Sequence, residues 1–313
     1  MKPGKNSFTM NNSKQKIVYL GTSDFASTIL AQLISADYNI VAVITKPDSK
    51  SGRGNKISES PVKYLAGKYG IPVYQPTTKI ELTDTMNYVK PELGIVAAYG
   101  MIIPTEALEV PRLGFINVHG SILPKYRGAA PVSAAILAGD KQTGITIMKL
   151  AERMDTGDII KISKLNISEK DNTVSLMARL ATLGADTLID ILPNYINNKI
   201  ISSKQNDQEA TYCKMIHKED GFLLPEESAD EILRKIRAYY PWPGITFIDN
   251  NKKYKVISAV KSDIKLHPLE LAFIDGKILL GTTTEALEII TIQPEGKKAM
   301  SGKDYINGIK KGA

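Results

Sequence analysis

The first 200 residues alternate short apolar runs with segments of helical periodicity, and this alternation restricts the fold more than any other feature. Short apolar runs separated by helical segments are typical of parallel sheets whose strands are joined by helices. We therefore predict an α/β domain with a mostly parallel, Rossmann-like sheet over residues 17–200. Predicted strands lie at residues 17–20, 40–45, 73–74, 93–98, 115–119, 143–150 and 158–163, and predicted helices at residues 25–33, 61–69, 131–138 and 174–192.

The pattern changes after residue 200, where polar residues without periodicity predict a linker over residues 201–219. Residues 220–313 consist mainly of short β runs, with hairpin turns predicted at Asn250-Asn251 and Asp275-Gly276. This pattern favours a small, OB-like β-barrel with one clear helix at residues 230–238. Residues 1–16 are polar and predict a disordered tail.

Charge and cysteine content restrict the partners and the compartment. The chain carries 40 Lys and Arg against 33 Asp and Glu, a net charge of +7, which favours a polyanionic partner such as nucleic acid. A single cysteine, Cys213, excludes an intramolecular disulfide and favours a reducing compartment. The longest apolar stretch is shorter than the ~20 residues of a membrane span, and the amino terminus does not resemble a signal peptide. We therefore expect a cytoplasmic protein that does not enter a membrane.

Asn117 and His119 lie two residues apart at the carboxyl end of a predicted strand. Side chains at this spacing point to the same face of a sheet, and open α/β sheets bind ligands at this edge. A loop further along the chain adds two carboxylates, Asp155 and Asp158. An amide that stabilises an oxyanion, an imidazole that moves protons and a carboxylate that orients the imidazole suit acyl transfer. From spacing alone, however, a structural Asn-x-His is the commoner interpretation.

A series of motifs resembles the formyltransferase family. The family's asparagine and histidine fall on Asn117 and His119, and its catalytic aspartate falls on Asp155. Its Ser-Leu-Leu-Pro loop falls on residues 121–124. The similarity covers nearly the whole chain outside the tail, and its motifs lie at residues 21–26, 60–63, 117–124, 127–131, 144–148, 155–158 and 293–300.

The resemblance implies a donor and a set of site residues. The family uses 10-formyltetrahydrofolate as the formyl donor, and its catalytic residues correspond to Asn117, His119 and Asp155. The folate-binding loop corresponds to Ser121, Ile122, Leu123 and Pro124. Departures from the family pattern are small: Ile122 replaces the usual leucine, a change of equal volume, and Ser23 stands where proline is common.

The resemblance extends to the members that act on methionyl-tRNA, which implies initiator methionyl-tRNA as the acceptor for translation initiation. The family loop that enters the acceptor stem matches residues 46–60, which include Arg53 and Lys56. Lys297 and Lys298 belong to a late basic stretch that could contact phosphates. Without the resemblance, both segments read as solvated surface. We expect the protein to act as a monomer.

Three other functions stay open. Formyltransferases of this fold also act on sugar-nucleotide amines, and related domains hydrolyse formylfolate. Both are expected to lack the Arg53-type loop and this barrel ending. A non-catalytic tRNA-binding protein would not need Asn117, His119 and Asp155. A metal site is not expected, because the three histidines, His119, His217 and His267, are scattered. The aromatic segment at residues 239–243 favours interdomain packing over base stacking.

Overall fold

The computed structural model describes residues 14–51 and 56–310, and the chain divides into two compact units. The first unit comprises Met1–Arg127, Gly144–Leu165 and Ala178–Thr211, and the second comprises Gly128–Thr143, Asn166–Met177 and Tyr212–Ala313. The predicted domain boundaries at residues 200 and 220 stay a prediction. Most of the predicted tail, residues 1–13, lies outside the described residues.

The α/β part of the chain follows the alternation predicted from its sequence. Its elements are β1 (Ile17–Gly21), α1 (Asp24–Ser35), β2 (Ile40–Ile44), β3 (Ser49–Ser51), β4 (Lys56–Ser58), α2 (Pro61–Lys68), β5 (Val73–Tyr74), α3 (Lys79–Val89), β6 (Leu93–Ala97), α4 (Thr105–Leu108), β7 (Phe115–His119), β8 (Arg127–Gly128), α5 (Pro131–Ala138), β9 (Gln142–Lys149), β10 (Ile159–Asn166) and α6 (Thr173–Ile196). Five of these elements, β3, β4, α3, α4 and β8, were not predicted. The longest of them, α3, buries only Leu82 and Met86, so its apolar periodicity is weak.

A seven-stranded sheet organises this part, in the order β10-β9-β7-β6-β1-β2-β5. The pairings from β5 to β7 are parallel, whereas β9 pairs antiparallel with β7. The order reverses between β1 and β6, which is the Rossmann arrangement and directs ligands to the carboxyl edge of the strands. The predicted Rossmann-like, mostly parallel sheet is confirmed.

The central strands of this sheet are buried from solvent, which explains why their sequences are continuous apolar runs. The side chains of β1, from Ile17 to Leu20, have 0% exposure, and Ala42 and Ile44 of β2 are equally buried. Helix α2 begins with Pro61 after Ser60, whose hydroxyl accepts a hydrogen bond from the Lys63 amide at 3.1 Å. Such caps satisfy amides that have no partner within the helix.

The carboxyl-terminal part is an antiparallel half-barrel. Its elements are β11 (Tyr212–Cys213), α7 (Ala229–Ala238), β12 (Ile245–Asp249), β13 (Lys252–Lys261), β14 (Leu271–Ile274), β15 (Lys277–Leu280), β16 (Leu287–Pro294), β17 (Met300–Ser301) and α8 (Gly302–Lys310), with 3₁₀ turns at Asp207–Glu209 and Lys218–Gly221. The strand order is β12-β13-β16-β15-β14, with β17 beside β16, and register shifts in β13 help the sheet to curl. The predicted small β-barrel is confirmed in this form.

Both predicted hairpin turns are present. Asn250 and Asn251 have φ angles of 45° and 59°, and Asp275 and Gly276 have 49° and 73°. Positive φ at both central residues matches the right-handed twist of the flanking strands.

Candidate active site

Asn117 and His119 lie on one face of β7, at the carboxyl end of the strand. Asn117 pairs with Val96 of β6 and Met148 of β9, and His119 lies opposite Thr146 of β9. His119 is buried at 6% exposure, while Asn117 is half-buried. The sheet thus holds both side chains on one face of a rigid strand.

Neighbours at both ring nitrogens orient His119. Its Nδ1 lies 3.6 Å from Asp155 Oδ1, and its Nε2 lies 3.1 Å from the carbonyl oxygen of Tyr126. A carbonyl only accepts, so Nε2 carries the proton in this contact. A second proton on Nδ1 would give an imidazolium that faces the carboxylate. The structure therefore brings together two of the three predicted catalytic residues and places the third two residues away on the same strand.

Asp155 lies in the loop between β9 and β10, with its side chain 11% exposed. Its φ angle is 53°, a left-handed conformation that is uncommon for residues other than glycine. The loop returns at Gly157, where an added Cβ would meet the carbonyl oxygen of Lys149 at the end of β9. The Lys149 amide donates to the Asp158 carbonyl at 2.9 Å and closes the loop. The loop is thus closely packed against β9.

The predicted folate loop is tied to β9 through Thr146. The Thr146 hydroxyl donates to the Ser121 carbonyl at 2.7 Å and accepts from the Leu123 amide at 3.0 Å. The hydroxyl of buried Ser121 donates to the Lys125 carbonyl at 2.6 Å, so this side chain shapes the loop. Ile122 and Pro124 are partly exposed. Contact between this loop and folate stays a prediction.

The predicted tRNA contacts fall in different parts of the chain. Arg53 lies outside the described residues, and Lys56 is the first residue of β4. Lys297 and Lys298 are exposed in the turn that follows β16. The carbonyl of Lys297 accepts from Gln293 Nε2 at 2.9 Å, which holds this turn.

Beside this turn, the second unit has a basic groove of about 340 Å³. It contains the only tryptophan of the chain, Trp242, a residue that is 57% exposed. Lys253 Nζ lies 5.1 Å from the centre of the Phe222 ring, a cation–π contact. Burial lowers the pKa of Lys255, and the positive charge of Lys253 lowers it further. The residues that line the groove are Lys218, Phe222, Trp242, Pro243, Thr246, Lys253, Lys255, Gln293, Pro294, Glu295 and Gly296.

Sequence reasoning did not assign the residues that hold the Asp155 loop. Arg127 was part of a recognised motif, but no role followed from it. Gln205 lies in the segment read as a linker, and its amide Nε2 donates to the carbonyls of Asp155 and Gly157. An isolated glutamine in a polar segment carries no periodic signal, so only the fold identifies it.

Among the described residues, no group of three or more His, Cys, Asp or Glu side chains is arranged to hold a metal ion. Over the same residues, no helix combines the length and apolarity needed to cross a bilayer. A larger hollow, of about 680 Å³, is lined by residues of the second unit and includes none of Asn117, His119 and Asp155.

Known families match both parts of the chain. The formyl transferase family matches residues 15–192, and the formyl transferase carboxyl-terminal domain matches residues 215–310. The methionyl-tRNA formyltransferase of Pseudoalteromonas translucida is 41% identical over 301 residues, covering 94% of each chain. That of Methylococcus capsulatus is 38% identical over 296 residues, covering 93% of this chain and 96% of the relative.

Solved structures show the same fold at low identity. HypX from Aquifex aeolicus, in complex with tetrahydrofolic acid, superposes with a TM-score of 0.67 at 16% identity. The match covers 96% of this chain and 48% of HypX, so this chain spans about half of that protein. An N-formyltransferase from Helicobacter canadensis, in complex with folinic acid and dTDP-3-aminofucose, has a TM-score of 0.68 at 20% identity over 90% of this chain and 99% of its own.

Three observations point to one family: the pairing of His119 with Asp155 beside Asn117, the two-part fold, and the identity with relatives over nearly their full length. The chain belongs to the formyl transferase family, on its methionyl-tRNA formyltransferase branch.

Proposed function

We propose that this chain transfers the formyl group of 10-formyltetrahydrofolate to the amino group of initiator methionyl-tRNA, giving N-formylmethionyl-tRNA for translation initiation. The 3.6 Å pairing of His119 Nδ1 with Asp155 Oδ1, two residues from Asn117, carries the proposal. These groups suit acyl transfer, and the relative from Pseudoalteromonas translucida is a methionyl-tRNA formyltransferase.

The reaction is a direct transfer between two amines. The neutral methionyl amine attacks the formyl carbon and forms a tetrahedral oxyanion. The Asn117 amide donates a hydrogen bond to this oxyanion, and His119 in its charged form adds positive charge nearby. Asp155 orients the imidazole and favours its charged form through the opposite charge nearby. The carbon–nitrogen bond to the folate then breaks, and the proton lost by the attacking amine is balanced by one gained by the folate nitrogen.

A folate donor agrees with the structural relatives, of which one carries tetrahydrofolic acid and another folinic acid. The loop of Ser121, Ile122, Leu123 and Pro124 follows β7 directly, so the donor would lie beside the reacting amide and imidazole. Ile122 and Pro124, which are partly exposed, would contact it.

For the tRNA, we assign Arg53 and Lys56 to the acceptor end and Lys297 and Lys298 to phosphates elsewhere. The basic groove lies beside the turn of Lys297 and Lys298 and supports phosphate contact in this part of the chain, because its lining includes three further lysines. The proposal also includes a monomeric enzyme that works in the cytoplasm, where translation initiation uses its product.

To test the function, the enzyme is incubated with 10-formyltetrahydrofolate labelled in its formyl group and with either methionyl-tRNA or dTDP-3-aminofucose. We expect label on the methionyl-tRNA alone. Label on the aminosugar alone would instead favour the sugar-nucleotide activity. Label on neither amine, with a folded protein, would remove the proposed function.

A further inference from the structure

The first unit encloses an arginine, Arg127, whose side chain is 1% exposed. Its Nε and Nη2 donate to Gln205 Oε1 at 3.1 and 2.8 Å, and Nη2 also donates to Asp207 Oδ1 at 2.7 Å. A buried guanidinium requires such acceptors, because leaving it without them would strongly destabilise the fold. Arg127 thus determines which groups must face it.

These contacts set the orientation of the Gln205 amide. Arginine only donates, so Oε1 of Gln205 must face Arg127, and Nε2 must point the other way. Nε2 donates to the carbonyl of Asp155 at 2.9 Å and to that of Gly157 at 2.8 Å. Both hydrogens of the amide are therefore used on the loop that carries Asp155.

The loop needs this support for a conformational reason. Asp155 has a φ angle of 53°, and non-glycine residues keep this conformation when their surroundings hold it. The Gln205 amide bonds the backbone at Asp155 and again at Gly157. Rotation of the Asp155 backbone would break these bonds and would move the carboxylate that lies 3.6 Å from His119 Nδ1.

We propose that Gln205 is a positioning residue for the formyl transfer: its amide, oriented by Arg127, holds the backbone at Asp155 so that the carboxylate stays beside His119. The inference rests on the proposed function for its activity test, although the geometry that it predicts is independent of the substrate.

The variant that tests this is Gln205→Glu, with Gln208→Glu as a matched control for the change of charge. A glutamate at position 205 still accepts from Arg127, so the buried guanidinium stays paired, but it cannot donate to the two carbonyls. A residue with only a structural role, neutralising Arg127, would tolerate this change. We expect kcat to fall about 10- to 100-fold with the Michaelis constants unchanged, because the catalytic carboxylate is displaced. The melting temperature should fall as well, because two carbonyls lose their donor. Wild-type kcat in Gln205→Glu would overturn the inference.

A double-mutant cycle with Asp155→Asn separates positioning from a general loss of structure. If Gln205 acts through Asp155, adding Gln205→Glu to Asp155→Asn should change kcat no more than adding Gln208→Glu does. If Gln205→Glu reduced kcat as strongly in the Asp155→Asn variant as in the wild-type enzyme, the inference would be contradicted.

A crystal structure of Gln205→Glu gives a readout that does not depend on activity. We expect a separation of His119 Nδ1 and Asp155 Oδ1 longer than the 3.6 Å of the wild-type chain. An unchanged separation would refute the positioning role even if the wild-type enzyme formylates methionyl-tRNA. Failure of the wild-type enzyme to formylate would refute the function and leave this geometric test intact.

Discussion

At the residue scale, the burial of His119 and its two contacts define its chemistry. The ring donates from Nε2 to the Tyr126 carbonyl and faces the Asp155 carboxylate with Nδ1. Because both nitrogens have partners, the ring is oriented before any substrate arrives. Such preorganised charge and dipoles stabilise a transition state without further rearrangement. Asn117, which is less buried, is then the group best placed to meet the oxyanion.

Asn117→Ala tests this division of roles. Loss of one oxyanion donor should reduce kcat about 10²- to 10³-fold. The fold should persist, because Asn117 is half-buried and the backbone pairing of β7 does not depend on its amide. Steady-state kinetics with methionyl-tRNA, together with a melting curve, measures both effects.

The control for that variant is Asn87→Ala on the exposed side of α3. It removes the same amide and should leave kcat unchanged. Near-normal turnover in Asn117→Ala would exclude Asn117 as the oxyanion donor.

At the scale of the elements, two connections position the chemistry. The loop between β9 and β10 brings Asp155 to His119, and its tight return depends on Gly157. The hairpin of β3 and β4 pairs Ser49 with Ser58 and Ser51 with Lys56, and the residues between the two strands include Arg53. On our proposal, the loop between β9 and β10 serves the reaction, and the hairpin of β3 and β4 serves the choice of tRNA.

Gly157→Ala should disturb the first connection. Its added methyl group would meet the Lys149 carbonyl, and a clash with backbone requires the loop to shift. We expect a loss of stability of about 1–3 kcal/mol and a lower kcat, since Asp155 moves with the loop. Thermal unfolding and kinetics on the same preparation test both.

Gly67→Ala, within α2, is the matched control, because nothing lies within 4 Å of its added methyl group. It should stabilise the protein by about 0.5–1 kcal/mol through helix propensity. Loss of activity in Gly67→Ala, or normal behaviour of Gly157→Ala, would contradict this account of the loop.

Arg53→Ala addresses the second connection. If Arg53 contacts the acceptor end of the tRNA, the Michaelis constant for methionyl-tRNA should rise while that for the folate stays the same. Discrimination between initiator and elongator tRNA should weaken as well. Competition between the two tRNAs in the formylation assay measures both, and unchanged discrimination would remove Arg53 from recognition.

At the scale of the whole molecule, the net charge of +7 is modest. For tRNA binding, the positions of the charged side chains matter more than this total. Some lysines are neutralised locally, as Lys261 is by Asp230 and Glu285. Lys253 and Lys255 instead lie close enough for the charge of one to lower the pKa of the other. An anion bound in the groove would relieve this repulsion, so the groove is a stronger candidate for phosphate contact than the average basic surface.

Replacing Lys253 and Lys255 together by glutamine should weaken tRNA binding and reduce its salt dependence. Each lost phosphate contact lowers the slope of log K against log salt by roughly one, so the pair should lower it by about two. Trp242 is the only tryptophan and lies in the groove, so its fluorescence should change on tRNA binding and report the affinity. The control replaces Lys79 and Lys199, two exposed lysines of the α/β part. An equal slope in the two double variants would exclude the groove.

Much of this architecture was predictable because its causes are local. Apolar runs and turn residues report directly on strands and hairpins, and β1, β7 and the Asn250-Asn251 turn were predicted for that reason. The family motifs likewise identified Asn117, His119 and Asp155 as candidates. Where local signals are weak, as in α3, prediction from the sequence failed.

The meeting of distant residues was decided only by the tertiary structure. No pattern in the sequence places the Asp155 carboxylate 3.6 Å from His119, or the Gln205 amide on a carbonyl 50 residues earlier. Such contacts depend on the order of the strands and the antiparallel entry of β9 beside β7, which many distant interactions determine together. The sequence by itself determined the elements and the candidate chemistry, because both are encoded in neighbouring residues. Only the fold decided which groups act together, because it alone sets their separation in space.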